Sequence, residues 1–95
     1  MDIKAMTKAD FYILDAQREV EGARKRIIDQ CQDLAEYVSR EAGLMAYDPT
    51  HQPNSIGIIQ GRAMDIDRAC AVLYATQKKL EVMEMMMKSM KEDRA

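Results

Sequence analysis

The chain has 95 residues, of which 47% are hydrophobic and 32% are charged, a composition typical of one small helical domain. Its 14 basic and 16 acidic residues give a net charge of -2, which disfavours the general attraction to phosphate backbones that strongly basic domains have. Because no apolar run approaches the ~18 to 20 residues that span a bilayer, and the first residues lack the apolar core of a signal peptide, we expect a cytoplasmic protein that does not enter membranes.

The first predicted helix covers residues 7–43. Thr7 and Asp10 have the spacing of a capping box, and Gly43 is the expected stop. At the period of an α-helix, one apolar stripe is predicted along it. The stripe contains Met6, Ala9, Ile13, Ala16, Val20, Ala23, Ile27, Cys31, Leu34, Val38, Ala42 and Met45, with Ile28 and Ala35 at its margin. The opposite side carries mixed charges and is interpreted as a solvated face.

The predicted loop, residues 44–55, contains both prolines and the only histidine of the chain. Proline and the residue before it resist helical geometry, so the two helices are expected to separate here. We interpret His51 as an exposed turn residue. The aspartates nearest this bend, Asp48, Asp65 and Asp67, lack the spacing of a carboxylate cluster, so no metal site is predicted.

The second predicted helix covers residues 56–92, with Asn54 or Ser55 as its N-cap. Ile59, Ile66, Leu73, Leu80 and Met87 recur in a heptad pattern, supported by Ala69, Thr76, Met83 and Met90. This pattern predicts a coiled-coil-like seam. A second apolar stripe, on the other side of the helix, comprises Gly57, Gly61, Met64, Ala71, Val72, Ala75, Val82 and Met86. A helix that is apolar on two sides is expected to be sandwiched between partners.

These elements predict an all-α fold in which residues 1–95 form one domain, a long antiparallel helical hairpin. Residues whose numbers total about 102 should then pair, which places Cys31 near Cys70 as two buried, reduced thiols. The hairpin covers only one face of the second helix. Self-association into a four-helix bundle, with the second helix inside, would cover the other face. A helix of a different protein is the alternative occupant.

No arrangement of nucleophile, base or phosphate-binding loop is recognisable, so the sequence predicts neither an enzyme nor a cofactor. We expect a protein-protein interaction module whose binding residues are Gly57, Gly61, Met64, Ala71, Ala75, Val82 and Met86. The alternative is a small helical dimer that binds nucleic acid through Arg18, Arg24, Lys25 and Arg26. Glu19, Glu21 and Asp29 dilute that basic patch, so nucleic acid is the less favoured partner.

A short Asp-Pro turn leads into a helix start that contains glycine, glutamine, glycine and arginine. The residues are Tyr47, Asp48 and Pro49 in the turn, then Gly57, Gln60, Gly61 and Arg62, continuing into Ile66 to Ala69. This stretch resembles a pattern in small helical proteins encoded by tailed bacteriophages and prophages. The resemblance implies a virion component, a packaging accessory or a host-takeover protein that acts in the host cytoplasm. It assigns no role to individual residues.

Overall fold

A computed structural model describes residues 7–53 and 55–93 of the chain. Helix α1 (Lys8–Tyr47) and helix α2 (Ser55–Asp93) pack against each other along their length. They run antiparallel, because Lys79 reaches Glu19 and Arg62 reaches Tyr37. The chain measures 73 × 24 × 14 Å. The predicted all-α helical hairpin is therefore confirmed.

Helix α1 begins with the capping box that the sequence predicts. The Asp10 backbone N–H donates to Thr7 Oγ1 at 3.2 Å, and the Thr7 backbone N–H donates to Asp10 Oδ2 at 2.9 Å. These bonds satisfy donors that have no partner inside the first turn. The Thr7 backbone N–H, followed by its hydroxyl, lowers the pKa of Asp10 below its ordinary value.

Helix α1 ends at Tyr47, four residues beyond the stop expected at Gly43. Gly43 keeps a negative φ, so glycine at this position does not end the helix. The end is set instead by Pro49, because a residue before proline is pushed out of helical geometry. That residue, Asp48, is extended, with φ -125° and ψ 105°. Helix α2 already includes Ser55, so Ser55 is not its N-cap, and Asn54 lies outside the described residues.

Hydrogen bonds from the loop fix the bend. Asp48 Oδ1 accepts from the Thr50 hydroxyl at 2.7 Å and from the Thr50 backbone N–H at 2.9 Å. These bonds, the hydroxyl contributing most, lower the pKa of Asp48. His51, expected to be exposed, is instead half-buried, and its Nε2 lies 2.8 Å from a carboxylate oxygen of Glu41. The histidine thus ties the loop back to α1.

The seam between the helices follows a strict heptad on both sides. On α2 it matches the prediction, except that Met90 is 50% exposed. On α1 the packed positions are Ala9, Ile13, Ala16, Val20, Ala23, Ile27, Gln30, Leu34, Tyr37 and Glu41. The predicted stripe is correct from Ala9 to Ile27 and at Leu34, but Cys31, Val38, Ala42 and Met45 are exposed, and Met6 lies outside the described residues. Paired helices follow a period near 3.5 rather than 3.6, so the α1 stripe drifts away from the seam.

The two cysteines are free and exposed, so the prediction of buried thiols is wrong. Cys31 follows a seam position on α1, and Cys70 likewise follows Ala69 on α2. The helices are also offset from the predicted alignment. Contacting residues have numbers that total about 99 rather than 102, as the Lys79 to Glu19 and Arg62 to Tyr37 contacts show.

Only small side chains are buried between the helices. Among the residues that the structure describes, the buried apolar ones are Ala16, Ala23 and Ala69, which are 2%, 9% and 7% exposed. Larger seam residues, such as Ile27 and Leu73, remain partly exposed. Two helices cannot enclose a side chain on all sides, so alanine is the largest apolar residue that they bury in the described part of the chain.

The alanine contact predicts a steric limit at position 16. We expect Ala16→Leu to destabilise the hairpin by about 1–3 kcal/mol, because the added atoms must push the helices apart. Ala35→Leu is the matched control, since Ala35 is exposed on the same helix. Thermal unfolding followed by circular dichroism measures both. Equal melting temperatures for the two variants would contradict this account of the seam.

The capping box predicts an acid-sensitive start of α1. Because folding lowers the pKa of Asp10, its ionised form stabilises the helix fully above the ordinary carboxyl pKa. That stabilisation is lost as the pH falls through the lowered value. Asp10→Asn should therefore show a smaller loss of helicity between neutral and strongly acidic pH than the wild type. Asp29→Asn, an exposed change in the same helix, is the control, and an identical pH profile for both variants would argue against the assignment.

Candidate partner-binding face of the second helix

One side of α2 presents apolar side chains that α1 does not cover. We call this side the outward face. It comprises the seven predicted binding residues, Gly57, Gly61, Met64, Ala71, Ala75, Val82 and Met86, together with Val72, and all eight are exposed. The largest of them, Met64, Val72, Val82 and Met86, are 47–60% exposed. At helical spacing, Gly57, Gly61, Met64, Ala71, Ala75 and Val82 lie across the helix from the seam, whereas Val72 and Met86 flank it.

The side chains of the outward face are small near the loop and larger near the chain ends. At its loop end, an added Cβ on Gly57 or Gly61 would have no atom within 4 Å, so open space lies in front of both residues. These glycines and Met64 line a shallow depression with Asp65 and Arg68. At the other end of the face, Val82, Met85 and Met86 project into solvent. The face is therefore recessed near the loop and raised near the chain ends.

Methionines also line a small cavity between the free ends of the helices. It has a volume of about 140 Å³ and is almost entirely apolar. Its walls come from Ala9, Tyr12 and Ile13 of α1 and from Met83, Met86, Met87 and Met90 of α2. Flexible thioether side chains can repack against different shapes. This end of the hairpin is consequently the more adaptable one.

A few charges interrupt the outward face. Asp65 lies 3.6 Å from Arg68, one turn further along the helix. Lys79 lies 3.3 Å from Glu19 of α1. The side chains of Asp65, Arg68 and Lys79 are 61%, 74% and 56% exposed, so each can still reach a partner. The outward face is thus apolar with separate negative and positive positions.

Sequence reasoning missed a second exposed apolar stripe, which lies on α1. It comprises Ile28, Cys31, Ala35, Val38, Ala42 and Met45, all exposed. These residues alternate in steps of three and four, and all of them except Met45 directly follow a packed seam position. The signal was present in the sequence, but the helical stripe predicted for α1 merged several of these residues with the seam. We refer to them as the α1 stripe.

Polar groups in the loop half of the seam were also not predicted. Gln30 and Tyr37 occupy seam positions, and the Gln30 Oε1 and Tyr37 hydroxyl oxygens are buried without a hydrogen-bond partner. The Arg62 guanidinium lies over the Tyr37 ring, 5.3 Å from its centre, a cation-π geometry. The seam is therefore apolar towards the chain ends and partly polar towards the loop.

The four basic residues of the alternative site do not form one patch. Arg18, Arg24, Lys25 and Arg26 are all exposed on α1. Consecutive residues of a helix point in different directions, so the last three spread around the helix. Only Arg18 and Lys25 share a row along its surface, and Arg18 lies 4.0 Å from Asp15. These four side chains therefore do not form a concentrated positive surface.

The chain matches no protein-family model, curated protein or solved structure. Neither helix, over the described residues, contains an apolar segment long enough to cross a membrane. Within residues 7–53 and 55–93, no three acidic, histidine or cysteine side chains are grouped closely enough to hold a metal ion.

The exposed cysteines give a direct chemical check of the seam. In the native protein, Cys31 and Cys70 should both react with a maleimide at rates close to those of the unfolded chain, because neither thiol is packed between the helices. Mass spectrometry after timed labelling separates the two sites. Strong protection of either thiol under native conditions would mean that the seam differs from the one described.

Proposed function

We propose that this protein is a non-enzymatic interaction module, of the kind that serves as an accessory or structural protein of a phage. It oligomerises or clamps a partner protein through the outward face of α2. The observation that carries the proposal is the contrast between the two sides of α2. The seam buries nothing larger than alanine, while Met64, Val72, Val82 and Met86 lie open to solvent.

The large exposed area of the chain supports the proposal that the hairpin is completed by another chain. A compact monomer of 10.9 kDa exposes about 5,600 Å². The hairpin exposes 7745 Å², an excess of roughly 2,100 Å² over that compact monomer. Its radius of gyration is 21.2 Å, against about 12 Å for a compact chain of this length. Association with another chain would reduce this excess and supply the core that two helices lack.

Side-chain chemistry also favours a protein partner. Apolar stripes with heptad spacing are the usual contact surface between helices, and the outward face has this character over most of α2. Methionine at the raised end suits a surface that adapts to the shape of its partner. A bound helix would cover the small residues at the other end.

Substituting glutamate for two alanines in the centre of the outward face tests the proposal. We expect Ala71→Glu/Ala75→Glu to weaken self-association or partner binding at least tenfold, because charged groups would be desolvated at the contact. Ala46→Glu/Ala63→Glu is the matched control, with the same chemistry at exposed positions outside the face. Light scattering after size exclusion, over a hundredfold concentration range, gives the mass, and a pull-down from bacterial lysate gives partner binding. Unchanged mass and unchanged binding in the first variant would refute the proposal.

A further inference from the structure

We infer that the occupant of the outward face is a second copy of this chain, bound antiparallel about a two-fold axis that passes between Ala71 and Val72. This inference rests on the proposed function and specifies its partner. In a two-fold helix pair, positions on either side of the axis at equal distance face each other. Ala71 of each copy would then face Val72 of the other copy.

Charge complementarity supports this pairing. Asp65 lies as far on one side of the axis as Lys79 lies on the other, within one residue. The symmetry therefore places Asp65 of each copy opposite Lys79 of the other, which forms two equivalent ion pairs. Lys79 already contacts Glu19 of its own chain at 3.3 Å, and its ammonium has further donors to share. Both side chains are more than half exposed, so they can reach across the contact.

The sizes of the side chains match in the same register. Gly61 faces Val82 of the second copy, and Gly57 faces Met86. The glycines have open space in front of them, whereas Val82 and Met86 are 52% and 60% exposed. The raised end of one face thus fits the recessed end of the other. Because the pairing is two-fold, this fit occurs twice.

Other pairings of the same face are electrostatically worse. A parallel pair would place Asp65 against Asp65, Arg68 against Arg68 and Lys79 against Lys79. Shifting the antiparallel pair by one heptad in one direction brings Arg68 against Arg68, and shifting it in the other direction brings Asp65 against Met86. Like charges that face each other across a helical contact destabilise it, and so does a carboxylate packed against an apolar side chain. The register centred between Ala71 and Val72 avoids all of these contacts.

The available area is sufficient for a stable dimer. A standard protein-protein contact buries about 800 Å² on each partner. Each chain exposes roughly 2,100 Å² more than a compact monomer of its mass. The pairing places α2 of both copies inside and α1 of both copies outside, and the exposed Cys31 lies on α1, away from the contact.

Charge reversal tests the pairing, with a built-in rescue. Asp65→Lys and Lys79→Asp should each raise the dimer dissociation constant about tenfold, because each change breaks two symmetric pairs and places like charges together. Mixing the two variants should restore the wild-type constant, since a mixed dimer has two opposite-charge pairs again. The double variant Asp65→Lys/Lys79→Asp should also recover. Sedimentation equilibrium across a wide concentration range measures each constant.

Matched controls are Asp67→Lys and Lys88→Asp, which make the same charge changes on α2 outside the outward face, and neither should alter the dissociation constant. A wild-type chain that stays monomeric at every concentration would overturn the inference and leave a different protein as the partner in the proposed function. A dimer whose constant is unaffected by the single reversals, or is not restored by mixing, would overturn the pairing while self-association stands. Circular dichroism checks that every variant keeps its helices.

Discussion

The structure depends on the close contact of two helices through alanine. Ala16, Ala23 and Ala69 are the apolar residues that the described seam hides, and their small size lets the backbones approach closely. The same contact limits the fold, because each helix shields only one side of the other. Every larger apolar residue on the described seam stays partly exposed. The large apolar residues of the outward face, Met64, Val72, Val82 and Met86, are 47–60% exposed. Exposed apolar surface is thus a direct consequence of a core made by only two helices.

The helices and the α2 seam could be predicted because their signals are local. Heptad repetition of aliphatic residues identifies Ile59 to Met87, and the capping box identifies the start of α1. The α1 seam could be predicted only in part. A period of 3.6 and one of 3.5 select the same residues up to Ile27, but they then diverge, so Gln30 and Tyr37 replace Cys31 and Val38. Apolarity alone favours the wrong residues there, because the tertiary contact places polar ones in the seam.

The two halves of the seam are held by different interactions. Towards the chain ends, methionine, isoleucine and alanine pack without polar groups. Towards the loop, Arg62 lies over Tyr37, and the contact between His51 and Glu41 fixes the bend. The buried oxygens of Gln30 and Tyr37 lack partners, which costs stability in this half. Polar groups in a helical seam can define which register the helices adopt, even where they weaken the packing. Here they lie in the half of the seam nearer the loop, and the short connection already constrains the register of that half.

The outward face and the α1 stripe differ in how much of their apolar surface a second copy would cover. The outward face of α2 has opposite charges and side chains of different size in its two halves, which is the arrangement that the proposed antiparallel dimer requires. The α1 stripe lies on α1, in the half of that helix nearer the loop, and extends from Ile28 to Met45. A dimer formed through α2 would leave that stripe uncovered in both copies and would present it twice, related by the same two-fold axis. In the proposed dimer, covering the outward face would therefore leave two symmetry-related copies of the α1 stripe, where the lone hairpin has one.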